Sequence, residues 1–161
     1  MEQIRRSVYE TNSSSTHSIT ICSEEEITKW KNGELFYYED GNKFVDVNGR
    51  NEILRRMILK GRIQTNWKEN NIGFKGEIIQ FDGSWKDRDE KVNALCTEEN
   101  LSEITQTEID KFVKANSYVR DIPCGYDEYF DSFEYLETYE EKYTTPKGEE
   151  IIAFGCYGYD G

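Results

Sequence analysis

The chain has 161 residues, a common size for one domain, and it is short for two large hydrophobic cores. Its formal net charge is -12, and 14% of its residues are aromatic, a content of large rings that argues against a disordered chain. No window approaches the roughly 20 apolar residues of a membrane span, and the first residues carry charges without an apolar signal region. We therefore expect one domain over residues 1–161, located in the cytoplasm.

The first predicted elements are a strand and a helix. Residues 17–22 alternate polar and apolar side chains and include β-branched residues, which indicates a half-buried strand. Ser23 stands three residues before Glu26, and this capping-box spacing predicts a helix over residues 24–31. Residues 32–33, Asn-Gly, are expected to end that helix.

A hairpin and a second helix are predicted next. Residues 34–39 and 43–47 are rich in strand-forming side chains and flank a short connection that contains glycine, as in a β-hairpin. Residues 51–60 carry apolar side chains near helical spacing and predict an amphipathic helix that Gly61 ends. Residues 66–76 are polar and interrupted by two glycines, so we predict no element there.

The second half of the chain predicts a strand, a helix and a terminal hairpin. Residues 77–81 form the strand, and Thr105 with Glu108 makes a second capping box that opens a helix running to about Ala115. Residues 145–148 have the Pro and Gly positions of a type I turn between two alternating stretches. Because strands and helices follow in mixed order, we predict an α+β fold, mainly an antiparallel sheet with two to three short helices.

The cysteines predict buried thiols without a cofactor. Cys22, Cys96, Cys124 and Cys156 lie far apart and lack C-x-x-C spacing, and a cytoplasmic protein meets a reducing environment. A zinc site of Cys124, Cys156 and His17 is an alternative that no spacing supports. We expect reduced thiols, no zinc and no other cofactor.

The negative charge is concentrated in the second half of the chain. Residues 1–80 hold twelve basic and twelve acidic side chains, whereas residues 81–161 hold eight and twenty. Between Arg120 and Lys142 there are eight carboxylates and no Lys or Arg. The eight are Asp121, Asp127, Glu128, Asp131, Glu134, Glu137, Glu140 and Glu141. Such a stretch repels nucleic acid, so we expect no direct binding of nucleic acid there.

Aromatic residues interleave with these carboxylates and suggest a binding surface for a basic protein. Tyrosine supplies rigid amphipathic contact area at interfaces, and a dense carboxylate array resembles the charge spacing of a phosphate backbone. The candidate partner-binding residues are Asp121, Asp127, Glu128, Asp131, Glu134, Glu137, Tyr126 and Tyr129. Two alternatives remain: an aromatic core under a solvated acidic face, or a metal site of Asp127, Glu128 and Asp131 that lacks the twelve-residue calcium-loop pattern.

The N-terminal segment offers a different chemistry. Six of the eight residues in the stretch 11–18 carry hydroxyls, and with the arginines just before them they could bind a phosphate. His17 is the only histidine and could transfer a proton, with Ser15 as nucleophile and Arg5 as anion ligand. The alternative is a polar, turn-rich approach to the first strand, since no G-x-S-x-G, Walker or H-E-x-x-H motif is present.

The string R-x-V-Y-E-T-N-S-S-S-T-H-S, within residues 5–18, resembles an N-terminal signature of small, mostly uncharacterised proteins of phages and mobile elements. The resemblance implies an origin and a structured segment, and it carries over no catalytic roles. Our leading hypothesis is a phage-derived acidic protein in the cytoplasm of a bacterial host. By nucleic-acid mimicry it would bind and inhibit or modulate a basic nucleic-acid-handling host protein, such as a CRISPR effector nuclease. The alternatives are an enzyme acting on a phosphorylated or nucleotide substrate through Arg5, Ser15 and His17, and a structural or assembly protein.

Overall fold

The structure is a computed structural model that describes the backbone of residues 4–10, 15–116, 121–133 and 136–159, and within these ranges the side chains from residue 19 to residue 157. These residues form nine strands and six helices, and every strand pairing is antiparallel. The predicted α+β class with antiparallel sheets is confirmed, whereas the described residues contain more helices than the two to three predicted.

Strands and helices follow one another in mixed order along the chain. The strands are β1 (Ile4–Glu10), β2 (Ser15–Ser23), β3 (Phe36–Tyr38), β4 (Lys43–Val45), β5 (Gln64–Asn66), β6 (Asn71–Phe74), β7 (Glu77–Gln80), β8 (Glu137–Thr144) and β9 (Glu150–Tyr159). The helices are α1 (Glu24–Lys31), α2 (Val47–Gly61), α3 (Trp85–Ala94), α4 (Glu98–Ser102), α5 (Gln106–Ala115) and α6 (Tyr126–Asp131).

Two compact units divide the chain. Unit 1 consists of Met1–Arg50 and Tyr118–Gly161, and unit 2 consists of Asn51–Ser117. Helix α2 begins in unit 1 and continues into unit 2. In the sequence, unit 2 is therefore inserted between the two stretches that form unit 1.

Unit 1 is built on a four-stranded antiparallel sheet in the order β1-β2-β9-β8. Strand β2 pairs with β9 over nine residues, from Ser15 opposite Tyr159 to Ser23 opposite Ile151. The central pair of the sheet thus joins two stretches from opposite ends of the chain. The predicted strand at residues 17–22 and the predicted terminal hairpin, β8 with β9, are confirmed.

Helix α1 begins and ends where the sequence predicts. The Ser23 hydroxyl accepts a hydrogen bond from the Glu26 N–H at 3.1 Å, and the Glu26 carboxylate accepts one from the Ser23 N–H at 3.0 Å. These bonds satisfy donors that the start of a helix otherwise leaves unpaired. Asn32 is the C-cap, and Gly33 follows with a φ of 81°, which glycine adopts without steric cost.

Trp30 on α1 lies at the centre of the core of unit 1. Its side chain is buried, and the centroids of six aromatic rings lie 5.0 to 5.9 Å from it: Tyr37, Phe44, Tyr126, Tyr129, Phe130 and Phe154. Its Nε1–H donates to the Cys124 carbonyl at 3.0 Å, and the Tyr37 N–H donates to the same carbonyl at 2.9 Å. Helix α1 and strand β3 are therefore both bonded to Cys124, two residues before the start of α6.

Unit 2 contains most of α2, the three-stranded sheet β5-β6-β7 and the helices α3, α4 and α5. The side chains of Leu54, Ile72, Ile104 and Ile109 are almost fully buried in it. Arg55 on α2 donates from Nε to the Ile104 carbonyl at 3.1 Å. This bond pairs a carbonyl that lies just before the N-cap of α5.

Several boundaries differ from the predictions for local reasons. Helix α2 begins at Val47, ahead of the predicted residue 51, because the Asp46 carboxylate accepts the Gly49 N–H at 2.8 Å and so caps the helix. The prediction of no element at residues 66–76 is wrong, because β6 lies there and alternates buried with half-buried side chains. Strand β1 and the helices α3, α4 and α6 also form without having been predicted.

The remaining predicted elements form, and the four cysteines are buried as expected. The hairpin of β3 with β4, the strand β7 and the helix α5 with its capping box at Thr105 are confirmed. Among the described residues, no helix combines the length and the apolar character that crossing a membrane requires.

Candidate protein-binding surface

The negative charge follows the division into units. Unit 1 contains twenty acidic and nine basic residues, and unit 2 contains twelve and eleven. The net charges are therefore -11 and -1, which add up to the -12 of the chain. The first fifty residues, which belong to the charge-balanced half of the sequence, are part of the acidic unit. The charge imbalance therefore lies almost entirely in one compact unit, which includes residues from both halves of the sequence.

Helix α6 exposes carboxylates on one side and buries aromatic rings on the other. Asp127, Glu128 and Asp131 are exposed. Tyr129, in contrast, is 1% exposed and packs against Trp30 with ring centroids 5.4 Å apart. Tyr129 was a candidate for partner binding, but its ring is buried and packs α6 against the core. It is not part of the surface.

The charges on α6 are not balanced within the described residues. Asp127 and Glu128 lie in the first turn, where the helix dipole favours carboxylates, and Glu128 also accepts the Gly125 N–H at 3.1 Å. Asp131 is the last residue of the helix, where the dipole disfavours a carboxylate, and the last turn has no basic residue. In the described part of the chain, neither Asp127 nor Asp131 forms an ion pair with a Lys or Arg.

Glu140 on β8, in contrast, receives a counter-charge from a distant part of the sequence. The Lys31 ammonium lies 2.9 Å from its carboxylate, and the Tyr126 hydroxyl donates to the same carboxylate at 2.5 Å. Burial tends to raise the pKa of Glu140, but the bonds from Tyr126 and Lys31 outweigh it and lower that pKa. Burial and then the Glu140 carboxylate raise the pKa of Tyr126. Tyr126 is therefore half-buried, and this burial limits the area of its ring that a partner can contact.

The remaining candidates lie in different places. Asp121 is exposed. Burial is the main cause that raises the pKa of Tyr38, and the carboxylates of Asp40 and Asp121 raise it further, so these two acids lie near one tyrosine. Glu137 is on β8 and accepts the Tyr157 hydroxyl at 2.5 Å. The candidate Glu134 lies outside the described residues. We define the acidic surface as Asp121, Asp127, Glu128 and Asp131, all exposed and all in unit 1.

The sequence reasoning missed two exposed tyrosines on the sheet. Tyr143 on β8 is 49% exposed and Tyr157 on β9 is 43% exposed. Their hydroxyls donate to Glu141 and Glu137, respectively. The period-two spacing of residues 137, 139, 141 and 143 was the available signal, because alternate residues of a strand share one face.

The N-terminal candidates lie on the first two strands. Arg5 pairs with Thr20, whereas His17, three residues away along β2, pairs with Tyr9 and Tyr157. Ser15 pairs with Tyr159 at the start of β2. Residues 5–10 and 15–18 of this segment are therefore part of the sheet. The side chains of Arg5, Ser15 and His17 and the whole stretch 11–14 lie outside what the structure describes.

Metal binding finds no support in the described residues. No three His, Cys, Asp or Glu side chains among them are grouped closely enough to hold a metal ion. Asp127, Glu128 and Asp131, all described, do not form such a group. The zinc alternative depends on the His17 side chain, which lies outside the description.

In comparisons with known proteins, the chain matches no protein-family model, no curated protein and no solved structure.

Proposed function

We propose that this protein binds a basic nucleic-acid-handling protein of a bacterial host and inhibits or modulates it by occupying the surface that holds nucleic acid. The observation that carries the proposal is the net charge of -11 on unit 1, together with exposed carboxylates on α6 that lack ion-pair partners among the described residues. A field of this sign attracts a cationic groove and repels nucleic acid. The origin in a phage or mobile element, and action in the host cytoplasm, rest on the N-terminal resemblance alone.

The position of Asp131 favours binding over simple solvation. A carboxylate at the end of a helix costs stability, and the described residues do not relieve that cost. A Lys or Arg of a partner placed beside Asp131 would relieve it on binding. The charges of Asp127 and Asp131 are one turn apart on the helix, so a cationic groove could meet both together.

Charge reversal tests the proposal. The variant Asp121→Lys, Asp127→Lys, Asp131→Lys is compared with Glu69→Lys, Glu77→Lys, Glu90→Lys, which makes the same change of net charge at exposed carboxylates of unit 2. Each protein is immobilised and used to capture partners from bacterial extract, and each captured partner is eluted with rising salt. We expect the first variant to bind the partner more weakly by several kcal/mol, because like charges then meet at the interface.

Two further readouts make the test specific to mimicry. A double-stranded DNA fragment should compete with this protein for the captured partner, because both occupy the same cationic surface. The Glu69, Glu77 and Glu90 variant should bind the partner like the wild type. Equal capture by both variants, or a partner that binds DNA and this protein at the same time, would contradict the proposed function.

A further inference from the structure

The two faces of the sheet in unit 1 differ in what covers them. Phe154 and Cys156 of β9 belong to the buried core, in which Trp30 of α1 and Tyr129 of α6 also lie. Side chains alternate along a strand, so Tyr157 points to the opposite face. Helices α1 and α6 thus cover one face of the sheet. We call the opposite face the outer face.

The outer face carries isoleucines and tyrosines that are only partly buried. The strand pairings place six of them together: Ile19, Ile21, Tyr139, Tyr143, Ile151 and Tyr157. Between them lie Ala153 and Gly155, whose small size leaves the neighbouring side chains standing above the sheet. An apolar and aromatic centre of this kind is typical of the energetically important part of a protein interface.

Two carboxylates stand beside the tyrosine rings of this face. The Tyr157 hydroxyl donates to Glu137 at 2.5 Å, and the Tyr143 hydroxyl donates to Glu141. The rings of Tyr139 and Tyr157 have centroids 6.1 Å apart. The hydrogen bonds hold two rings in fixed positions before binding, which reduces the entropy that a partner must remove.

The charge of unit 1 restricts what can dock on the outer face. A second copy of the chain, nucleic acid and an anionic membrane would each meet a net charge of -11 with charge of the same sign. A cationic protein segment is attracted instead. Arginine fits best among cationic residues, because its planar guanidinium stacks on a tyrosine ring and can bond a carboxylate at the same time.

We propose that the outer face of this sheet is a docking surface for an arginine-bearing segment of the basic partner. Guanidinium groups stack on Tyr143 and Tyr157 and bond to Glu137 and Glu141, while aliphatic parts of the segment cover the isoleucines. The inference rests on the proposed function, since it identifies the kind of segment that the basic partner presents. It adds a second, short-range contact to the long-range attraction of the acidic surface.

Peptides of nine arginines and of nine lysines test the docking surface, because they carry equal charge and differ in stacking. Binding of each to the full chain is measured by calorimetry at fixed salt. We expect Tyr143→Leu with Tyr157→Leu to weaken the arginine peptide about tenfold and the lysine peptide by no more than about twofold. Tyr143→Phe with Tyr157→Phe keeps the rings and should retain most of the arginine affinity.

Variants on the acidic surface separate this inference from the proposed function. Asp127→Asn with Asp131→Asn should weaken both peptides to the same extent, because only charge is removed. If the leucine variant binds the arginine peptide like the wild type while the asparagine variant binds it more weakly, the docking surface is overturned and the proposed function stands. If the wild type binds neither peptide, both are overturned. Circular dichroism checks that each variant is folded.

Discussion

The Cys22 thiol illustrates how the fold changes the chemistry of a single side chain. Cys22 is 1% exposed and lies on β2 within the core of unit 1. Burial, followed by the nearby carboxylates of Glu26 and Glu140, raises the pKa of this thiol to about 12. The thiolate is the reactive form of cysteine, so the folded protein suppresses the reactivity of this residue twice, through burial and through protonation.

Alkylation measures this suppression. With iodoacetamide at about pH 8.5, close to the pKa of an unperturbed thiol, Cys22 should remain unmodified in the folded protein and react rapidly in urea. The sites are identified by mass spectrometry of the peptides. Modification of Cys22 in the folded protein at the rate seen in urea would contradict the prediction.

The same raised pKa predicts a loss of stability in alkali. The unfolded thiol releases its proton near pH 8.5 and the folded thiol only near pH 12, so the contribution of Cys22 to stability is complete below about pH 8.5 and is lost as the pH rises towards 12. Urea unfolding between about pH 8 and pH 11 measures this, and Cys22→Ala should unfold with a weaker dependence on pH.

Whether a contact between two side chains could be predicted depended on how far apart the two residues lie in the sequence. The capping boxes at Ser23 and Thr105 were readable because their partners stand three residues away, where local geometry alone brings them together. The bond between Lys31 and Glu140 spans 109 residues, and no local pattern contains it. The carboxylates between residues 121 and 141 appeared to lack counter-charges for that reason.

Helix α6 shows why some elements escaped prediction. The buried and half-buried aromatic rings at residues 126, 129 and 130 of the helix, and at residue 133 just after it, have the spacing of one helix face. The helix is six residues long and starts after Gly125, which provides no side chain for a cap. Packing of the rings around Trp30, together with the Cys124 bonds, supplies the stability that local signals do not. The carboxylates of α6 were visible in the sequence, but the helix that presents them was not predicted.

Asp131 at the end of α6 should trade stability for binding. Asp131→Lys replaces a charge that the helix dipole disfavours by one that it favours, and it should stabilise the free protein by about 0.5 kcal/mol. The midpoint of urea unfolding measures this change. The same substitution should weaken binding of the basic partner if Asp131 lies in the interface.

Asp127→Lys is the matched control for this prediction. It makes an identical change of net charge on the same helix, but in the first turn, where the dipole favours the original carboxylate. The general relief of repulsion is therefore common to both variants, and the difference between them isolates the dipole. An equal shift of the midpoint in both variants would show that the position of Asp131 has no particular cost.

For the whole molecule, the sequence predicted the fold class, but it predicted neither the order of the strands nor the division of the charge between the two units. The pairing of β2 with β9 joins residues separated by more than a hundred positions, and it makes residues 1–50 part of the acidic unit. The charge-balanced half of the sequence is therefore not a structural unit. Strand order in a sheet is decided by which faces bury together, and local propensity carries little of that information.

The concentration of charge in unit 1 should make the protein more stable as salt rises. Like charges within a body of net charge -11 repel one another, and the screening length falls from about 30 Å at 0.01 M to about 8 Å at 0.15 M salt. Salt also weakens the exposed ion pairs, but such pairs contribute little. We therefore expect the urea midpoint of the wild type to increase over this range.

The two charge-reversal variants locate the source of this repulsion. The first variant, Asp121→Lys, Asp127→Lys, Asp131→Lys, has less negative charge on unit 1. Its urea midpoint should therefore respond less to salt than that of the wild type. Glu69→Lys, Glu77→Lys, Glu90→Lys makes the same change of total charge within unit 2 and should retain most of the response, because the charge of unit 1 is unchanged. A wild-type midpoint that falls with salt, or identical responses in the two variants, would mean that repulsion within unit 1 does not govern the stability of the chain.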